Sequence, residues 1–148
     1  MESITIRNAR LEDSATIKRI VRAAGLDPMS LHWPNFLVAD RAGRIIGIGQ
    51  VKPYPGAREL GSLAVLKAYR GRGVGSMIIL ALIERETGDL YLLCREALEV
   101  YYEPFGFRRA GWRELRGMVR RKYVFVQLFR LLFRVNVIAM RRPARGSA

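Results

Sequence analysis

The chain has 148 residues, half of them apolar, which is enough to bury one hydrophobic core without disulfides or structural metals. Its single cysteine, Cys94, excludes an internal disulfide. Polar side chains interrupt the longest apolar stretch, residues 123–140, so it lacks the roughly 20 apolar residues of a membrane-spanning helix. The opening Met1-Glu2-Ser3-Ile4 does not have the pattern of a signal peptide. We therefore expect a cytoplasmic protein with one domain over residues 1–148.

The net charge of +13 is distributed unevenly along the chain. Residues 1–107 hold 14 Lys and Arg against 12 Asp and Glu, which leaves +2. Residues 108–148 hold 12 basic residues against Glu114 alone, which leaves +11. A basic end of this kind attracts nucleic acid, an anionic membrane surface or an acidic protein, or is only a solvated surface. At most, we expect weak binding of an anionic partner there.

Apolar periodicity and turn residues predict the elements of the first half of the chain. These are a strand over residues 3–7, a helix over 13–24 that ends at Gly25, a loop over 26–35, two hairpin strands over 36–39 and 45–51 joined by a turn at 40–44, and a break at Pro53-Tyr54-Pro55-Gly56. Trp33 and Pro34 in the loop either line a binding pocket or anchor the loop.

The second half alternates strands and helices, which favours an α/β unit with two parallel strands in a mixed sheet. The predicted elements are a strand over residues 59–66, a helix over 73–87 that ends at Gly88, a strand over 90–94, a helix over 96–102, a basic amphipathic helix over 119–134 and a closing strand over 135–140. The basic helix either covers the sheet or contacts RNA or a membrane surface.

A glycine-rich basic turn, Arg70-Gly71-Arg72-Gly73-Val74-Gly75, lies between the predicted strand 59–66 and the helix after it. Glycines permit positive φ angles and close approach of a ligand to main-chain amides. The start of the following helix presents unpaired N–H groups and the positive end of its dipole, which together favour a phosphate or pyrophosphate. The spacing matches neither the P-loop nor the dinucleotide-binding fingerprint.

At these residues the chain resembles the GNAT family of N-acetyltransferases. The family signature is Gln or Arg, two residues, Gly, one residue, then Gly or Ala, and here it reads Arg70, Gly73, Gly75. A second segment, Tyr101-Tyr102-Glu103-Pro104-Phe105-Gly106-Phe107, is similar to the family's Phe/Tyr-Tyr-Glu-x-x-Gly-Phe segment. The resemblance covers residues 4–110 well and implies a central mixed sheet flanked by helices. Residues 111–142, the basic C-terminal helix and the closing strand, depart from a minimal version of that fold because the basic helix is added before the last strand.

The resemblance also implies a coenzyme site and no metal. In the family, main-chain groups of the strand before the turn bind the pantetheine arm of acetyl-coenzyme A, and the turn binds its pyrophosphate. Carried over to this sequence, the cofactor-binding residues are Leu63, Ala64, Val65, Arg70, Gly71, Arg72, Gly73, Val74, Gly75 and Ser76.

Two candidate catalytic residues follow from the same resemblance. Tyr102, four residues before Gly106, occupies the position that donates a proton to the coenzyme A sulfur, with Tyr101 as the alternative. Glu59 resembles a strand glutamate that acts as general base in some members; otherwise it is a solvent-facing residue at a strand end. Pro104 disfavours helical geometry at the residue before it and shortens the helix near the tyrosines.

The function that these observations predict is transfer of the acetyl group of acetyl-CoA to a primary amine by direct transfer in a ternary complex. Two alternatives stay open at this point. In one, the basic tail makes the protein a module that binds nucleic acid or an acidic partner. In the other, the protein binds acyl-CoA as a sensor without catalysis. The sequence leaves open whether the acceptor is a small molecule or a protein, and whether the protein is a monomer or a homodimer.

Overall fold

The strands and helices of the protein were assigned in a computed structural model that describes residues 2–146. The strands are β1 (Ile4–Asn8), β2 (Phe36–Arg41), β3 (Arg44–Tyr54), β4 (Ala57–Val65), β5 (Leu90–Arg95), β6 (Arg108–Ala110) and β7 (Val137–Arg142). The helices are α1 (Ser14–Ala23), α2 (Val74–Glu84), α3 (Glu99–Tyr102), α4 (Gly117–Leu128) and α5 (Arg130–Phe133).

The strands form a seven-stranded mixed sheet in the order β1-β2-β3-β4-β5-β7-β6. β4 and β5 are parallel, with Arg58 opposite Leu90, whereas the β1/β2, β2/β3, β5/β7 and β6/β7 pairs are antiparallel. The predicted mixed sheet with a parallel central pair is therefore confirmed. None of the helices described is long and apolar enough to cross a membrane.

The chain divides into two compact units, and β4 contributes residues to both. The first unit consists of residues up to Lys52 together with Leu60–Arg85, and the second of Pro53–Glu59 together with the residues from Glu86 onward. The glycine-rich turn belongs to the first unit. Glu59 and Tyr102 belong to the second.

The first unit has its core between α1 and the sheet. Ile17, Ile20 and Val21 of α1 are buried against side chains of β2 and β3, among them Val38 and Ile48. Helix α1 ends where Gly25 adopts a φ of +66°, as the sequence predicted. Trp33 packs against the same core cluster, which supports the interpretation that it anchors its loop.

Two glycines of β3 let helix α2 approach the sheet closely. A Cβ atom at Gly49 would lie 2.7 Å from Cγ2 of Ile78, and one at Gly47 would lie 2.9 Å from Cδ1 of the same residue. Any larger side chain at either position would push the helix away from the strand. The position of α2, and of its N-terminus, therefore depends on these glycines.

The second unit has a separate core around β5 and β7. Tyr91 and Ala139 from these strands pack with Leu115 and Val119, and Ala57 from the start of β4 joins them. Helix α4 buries only its first turns here, because Val119 is its one fully buried side chain.

Several predicted boundaries are wrong, and three of them have a clear structural reason or location. Helix α2 ends at Glu84, not at Gly88, and the next buried residue, Glu86, accepts two hydrogen bonds from Arg58, of 2.6 and 2.8 Å, inside the second unit. The predicted basic helix over residues 119–134 is two helices, α4 and α5, because Phe129 leaves helical geometry at φ −104°, ψ 10°. The predicted break at Pro53 lies inside β3, and the turn comes at Pro55 and Gly56.

Arg7 links three elements of the first unit. Its guanidinium donates hydrogen bonds to Asp40 of β2, at 2.9 Å, and to Asp13 before α1, at 2.8 Å. Asp13 also accepts a hydrogen bond from the backbone N–H of Arg10. The hydrogen bond from Arg7 holds the pKa of Asp13 below its ordinary value, although burial of the carboxyl opposes this.

We predict that Asp13→Ala lowers the free energy of unfolding at pH 7 by about 2 kcal/mol, because Arg7 loses a charged partner. The folded carboxyl has a lower pKa than the unfolded one, so its contribution is present above about pH 4 and is lost as the pH falls through the folded pKa. Urea unfolding at pH 7 and at pH 2 measures this difference between the variant and the parent. The control is Glu12→Ala, since Glu12 is exposed. Equal losses in both variants, or a loss at pH 2 as large as at pH 7, would contradict the assignment.

Candidate functional site

The glycine-rich turn joins β4 to α2 and is exposed to solvent. Gly73 has a φ of +80°, which side chains other than glycine rarely adopt, and it forms the N-cap of α2. No side chain among residues 2–146 caps this helix end. The first helical hydrogen bond runs from the N–H of Met77 to the carbonyl of Gly73, at 3.0 Å. The amides of Val74, Gly75 and Ser76 precede it and are the donors that a helix N-terminus leaves without helical acceptors.

Arg70 braces the turn against the strand before it. Its Nε donates a hydrogen bond of 2.9 Å to the main-chain carbonyl of Val65. Val65 and its neighbours Leu63 and Ala64 are half-buried at the end of β4. The carbonyl of Val65, which was predicted to bind pantetheine, therefore already accepts a hydrogen bond from Arg70, which was predicted to bind pyrophosphate.

Three arginines pack around the ring of Tyr69 beside the turn. The guanidinium carbons of Arg41, Arg44 and Arg72 lie 5.5, 6.0 and 5.8 Å from the centre of its ring. Such contacts are cation–π interactions, and they hold three positive charges around one aromatic side chain. The sequence analysis identified only Arg72. Arg41 and Arg44 lie on either side of the hairpin turn between β2 and β3. Their spacing around that turn was the only sequence feature that could have pointed to them.

A cleft of about 730 Å³ lies in the first unit between α1, the hairpin turn and the end of β4. Its lining includes Ala64, Val65 and Arg70 of the predicted cofactor-binding residues. The remaining lining residues are Asp13, Thr16, Arg19, Ile20, Ala23, Ala24, Gly43, Arg44, Ile45, Leu66 and Lys67. The cleft is thus basic on the side of the turn, and an elongated anionic molecule fits its charge.

Tyr102 is buried at the end of α3, whereas Tyr101 is 37% exposed. The ring of Tyr102 packs edge-on against the rings of Tyr101 and Phe107, with centroids 5.1 and 6.0 Å apart. Burial raises the pKa of the Tyr102 hydroxyl above its ordinary value, so the group keeps its proton at neutral pH. Helix α3 ends at Tyr102, before Pro104, and Gly106 closes the following turn with a φ of +91°.

Glu59 is buried in β4 and forms an ion pair. Its Oε2 lies 3.1 Å from Nζ of Lys122, a residue of α4. The side chains of Glu59 and Lys122 are 7% and 15% exposed, and the ammonium also lies 5.2 Å from the ring centre of Tyr54. The alternative of a solvent-facing glutamate is therefore wrong. The sequence analysis missed Lys122, whose only signal was its place in the basic helix.

Cys94 packs in the interior of the second unit, in contact with the sulfur of Met140 at 4.0 Å. Burial raises the pKa of its thiol to about 11. A thiol with such a pKa is a poor nucleophile at neutral pH. Cys94 therefore acts as a core side chain.

A sequence model of the GNAT acetyltransferase domain matches residues 32–109, which is more than half of the chain and includes the glycine-rich turn and the Tyr101-to-Phe107 segment. The chain belongs to this family. It is an acetyl-CoA-dependent N-acetyltransferase.

Relatives of this GNAT protein include an uncharacterised N-acetyltransferase of Chlorobaculum tepidum, CT2212, which is 29% identical over 123 residues, or 74% of this chain and 76% of the relative. Among solved structures, N-acetylglutamate synthase from Neisseria gonorrhoeae, complexed with coenzyme A and L-arginine, is 20% identical with a TM-score of 0.78. The match covers 98% of this chain but only 34% of that synthase. Rv2747 from Mycobacterium tuberculosis, in complex with CoA, is 18% identical with a TM-score of 0.76, over 94% of this chain and 98% of that chain. These structures share the fold.

We predict that acetyl-CoA raises the melting temperature of this GNAT protein and that Gly73→Asp abolishes the increase. At a ligand concentration one hundred times the Kd, binding stabilises a protein by about 2.7 kcal/mol. The variant places a side chain at a positive φ and a negative charge at the helix N-terminus, and both oppose phosphate binding. The matched control is Gly88→Asp, at an exposed glycine with no atom within 4 Å of an added Cβ. An undiminished increase in Gly73→Asp would remove the turn from the coenzyme site.

Proposed function

We propose that the protein transfers the acetyl group of acetyl-CoA to a primary amine by direct attack in a ternary complex, with the coenzyme held at the Arg70-to-Ser76 turn. The observation that carries this proposal is the uncapped N-terminus of α2, formed by a glycine with positive φ in the connection between β4 and α2. Coenzyme A is bound in the two similar solved structures described above, which supports the same ligand here.

The coenzyme would be held mainly by main-chain groups. Amides of Gly71, Gly73, Val74, Gly75 and Ser76 are the proposed donors to the pyrophosphate, because they surround the positive end of the helix dipole. The arginines at positions 70 and 72 add positive charge, and those gathered by Tyr69 from the hairpin extend it. Leu63, Ala64 and Val65 would meet the pantetheine arm through their remaining main-chain groups.

The transfer has a simple balance of bonds. The neutral amine nitrogen forms a bond to the carbonyl carbon of the thioester, and the carbon–sulfur bond breaks. The nitrogen loses one proton to a base, and the departing thiolate gains one from an acid. Since an alkyl ammonium has a pKa of about 10, most of the acceptor must also lose a proton before it attacks.

We assign the acid to Tyr102. Burial raises the pKa of its hydroxyl, so the group is protonated at neutral pH and can donate a hydrogen bond, and then its proton, to the sulfur as the carbon–sulfur bond breaks. Tyr101 remains the alternative on sequence grounds. Tyr101 is the more exposed of the two, and we prefer Tyr102 because a buried hydroxyl is held in one position by its neighbours.

We assign the base to Glu59, with Lys122 as the residue that positions it. The Glu59 carboxylate is already buried beside the Lys122 ammonium, so it needs no further desolvation before it accepts a proton. The same ion pair occupies one carboxylate oxygen, Oε2, with Lys122. In this proposal the amine proton reaches the other oxygen, directly or through water.

The basic tail supports a second candidate function, the binding of an anionic partner. Three arginines of α4 and α5 are exposed there, namely Arg120, Arg121 and Arg130. Nucleic-acid binding through this tail would weaken steeply with salt.

The test of the proposal is release of free thiol from acetyl-CoA in the presence of a panel of primary amines. We expect release with at least one amine and intersecting initial-rate lines, as direct transfer in a ternary complex requires. Tyr102→Phe should lower kcat about 100-fold or more, because it removes the acid but keeps the ring. Tyr101→Phe is the matched control and should remain close to the parent.

Parallel initial-rate lines would contradict direct transfer, and equal losses in the two tyrosine variants would contradict the choice of Tyr102. Coenzyme binding with no thiol release from any primary amine would contradict a primary amine as the acceptor.

We further predict that Glu59→Gln changes the acidic limb of the pH profile of kcat/KM, because glutamine cannot accept the amine proton and only the titration of the acceptor ammonium then remains. The measurement is the initial rate between pH 5 and pH 9 with saturating acetyl-CoA. Glu84→Gln, at an exposed glutamate of α2, is the control for loss of one carboxylate. An acidic limb that is unchanged in Glu59→Gln would exclude Glu59 as the base.

A further inference from the structure

Strand β3 carries two buried polar side chains that the donor chemistry does not use. Gln50 and Lys52 are 0% and 1% exposed. They lie on one face of the strand, because side chains two residues apart point to the same side. Ile48 on that face belongs to the core with α1, whereas Gly49 faces α2. Gln50 and Lys52 therefore extend the α1 face of the sheet, where a core of apolar side chains would otherwise continue.

Lys52 is paired with a carboxylate from a surface loop. Its Nζ lies 3.0 Å from Oδ2 of Asp27. The two side chains differ greatly in exposure, since that of Lys52 is 2% exposed and that of Asp27 is 38% exposed. Asp27 also lies in a segment, residues 26–32, without helix or strand. The cation is thus fixed on the sheet, and its partner comes from an irregular loop at the surface.

Gln50 has one atom that the fold leaves without a partner. Its Nε2 donates hydrogen bonds to Oγ of Ser62, at 2.9 Å, and to the carbonyl of Ser30, at 3.2 Å. Its Oε1 is buried and, within residues 2–146, accepts no hydrogen bond. Buried polar atoms are nearly always hydrogen-bonded, so an exception indicates a missing donor.

The same cluster borders the proposed position of the acetyl group. Ser62 has a φ of +53°, a conformation that residues other than glycine rarely adopt and that occurs preferentially at ligand sites. It directly precedes Leu63, the first of the three residues proposed to meet the pantetheine arm. On the proposed function, the Gln50, Lys52 and Ser62 cluster therefore lies next to the reacting end of the coenzyme.

We propose that this cluster is the acceptor subsite and that the acceptor is an amine that also carries a carboxylate, such as an α-amino acid. Lys52 binds the carboxylate, which takes the place of the Asp27 side chain. Oε1 of Gln50 accepts a hydrogen bond from the amino group. The Cα atoms of the two residues are about 6.6 Å apart along the strand and their side chains share one face, so we expect the two groups to hold the two ends of one small molecule.

Asp27 makes this subsite selective for an acceptor with a negative charge. An acceptor that displaces Asp27 without supplying a carboxylate leaves the Lys52 ammonium buried and unpaired, which is strongly unfavourable. An acceptor with a carboxylate restores the charged hydrogen bond. Amines that lack a carboxylate are therefore excluded at the step in which the acceptor replaces the Asp27 side chain.

The experiment compares the twenty L-amino acids with their α-carboxamides, which keep the amine but lose the carboxylate. Binding is measured as the increase in melting temperature in the presence of coenzyme A, and turnover as thiol release from acetyl-CoA. We expect at least one amino acid to be preferred over its amide by about tenfold or more in kcat/KM, as one charged hydrogen bond requires.

Variants of Lys52 and Asp27 should have opposite effects on recognition of the amino acid. Lys52→Met should remove the preference for the carboxylate while acetyl-CoA still raises the melting temperature. Asp27→Asn should lower KM for the amino acid, because it removes the competing carboxylate, and this surface variant also tests the inference if Lys52→Met does not fold. Lys18→Met, at an exposed lysine of α1, is the control and should match the parent.

Equal binding of amino acids and amides by the parent would overturn the inference. So would an increase in KM in Asp27→Asn, which is what a purely structural ion pair predicts. The proposed function fails separately: if amino acids bind through Lys52 but no amine gives thiol release, the catalytic assignment is wrong and the subsite stands.

Discussion

Helix α2 lies unusually close to strand β3, and the donor site depends on that contact. Gly47 and Gly49 provide the space, since a Cβ atom at either position would come within 3.0 Å of Ile78. The contact fixes the axis of the helix against the sheet. Its first turn is thereby held at the end of β4, where the chain reverses through Gly73 and leaves the helix amides uncapped. A phosphate site made of main-chain amides needs this rigidity, because no side chain can move to compensate for a displaced helix.

Charge in this protein is organised at two levels. Surface arginines raise the potential around the turn, and Tyr69 holds three of them in place through its ring. Each unit also contains an ion pair with one buried member, Lys52 paired with Asp27 and Glu59 paired with Lys122. The surface set attracts an anionic ligand, whereas these ion pairs hold groups that we assign to acceptor recognition and proton transfer.

Local patterns made much of the fold predictable. The strand, glycine turn and helix around Gly73 were predictable because apolar periodicity and glycine φ preferences act within a few residues. Contacts between distant segments were not. Lys122 and Glu59 are 63 residues apart in sequence, and nothing local at either position predicts the other. The early end of α2 has the same origin, since Glu86 is taken up by a hydrogen-bonded pair with Arg58 in the second unit.

Acetyl transfer as proposed here depends on main-chain amides at the start of α2 that bind the coenzyme. Titration of ¹⁵N-labelled protein with coenzyme A, followed by ¹H–¹⁵N correlation spectra, tests it directly. We expect the amide signals of residues 71–76 to shift in a saturable manner while that of Gly88 stays in place. Saturable shifts confined to other parts of the chain, with residues 71–76 unchanged, would contradict the account.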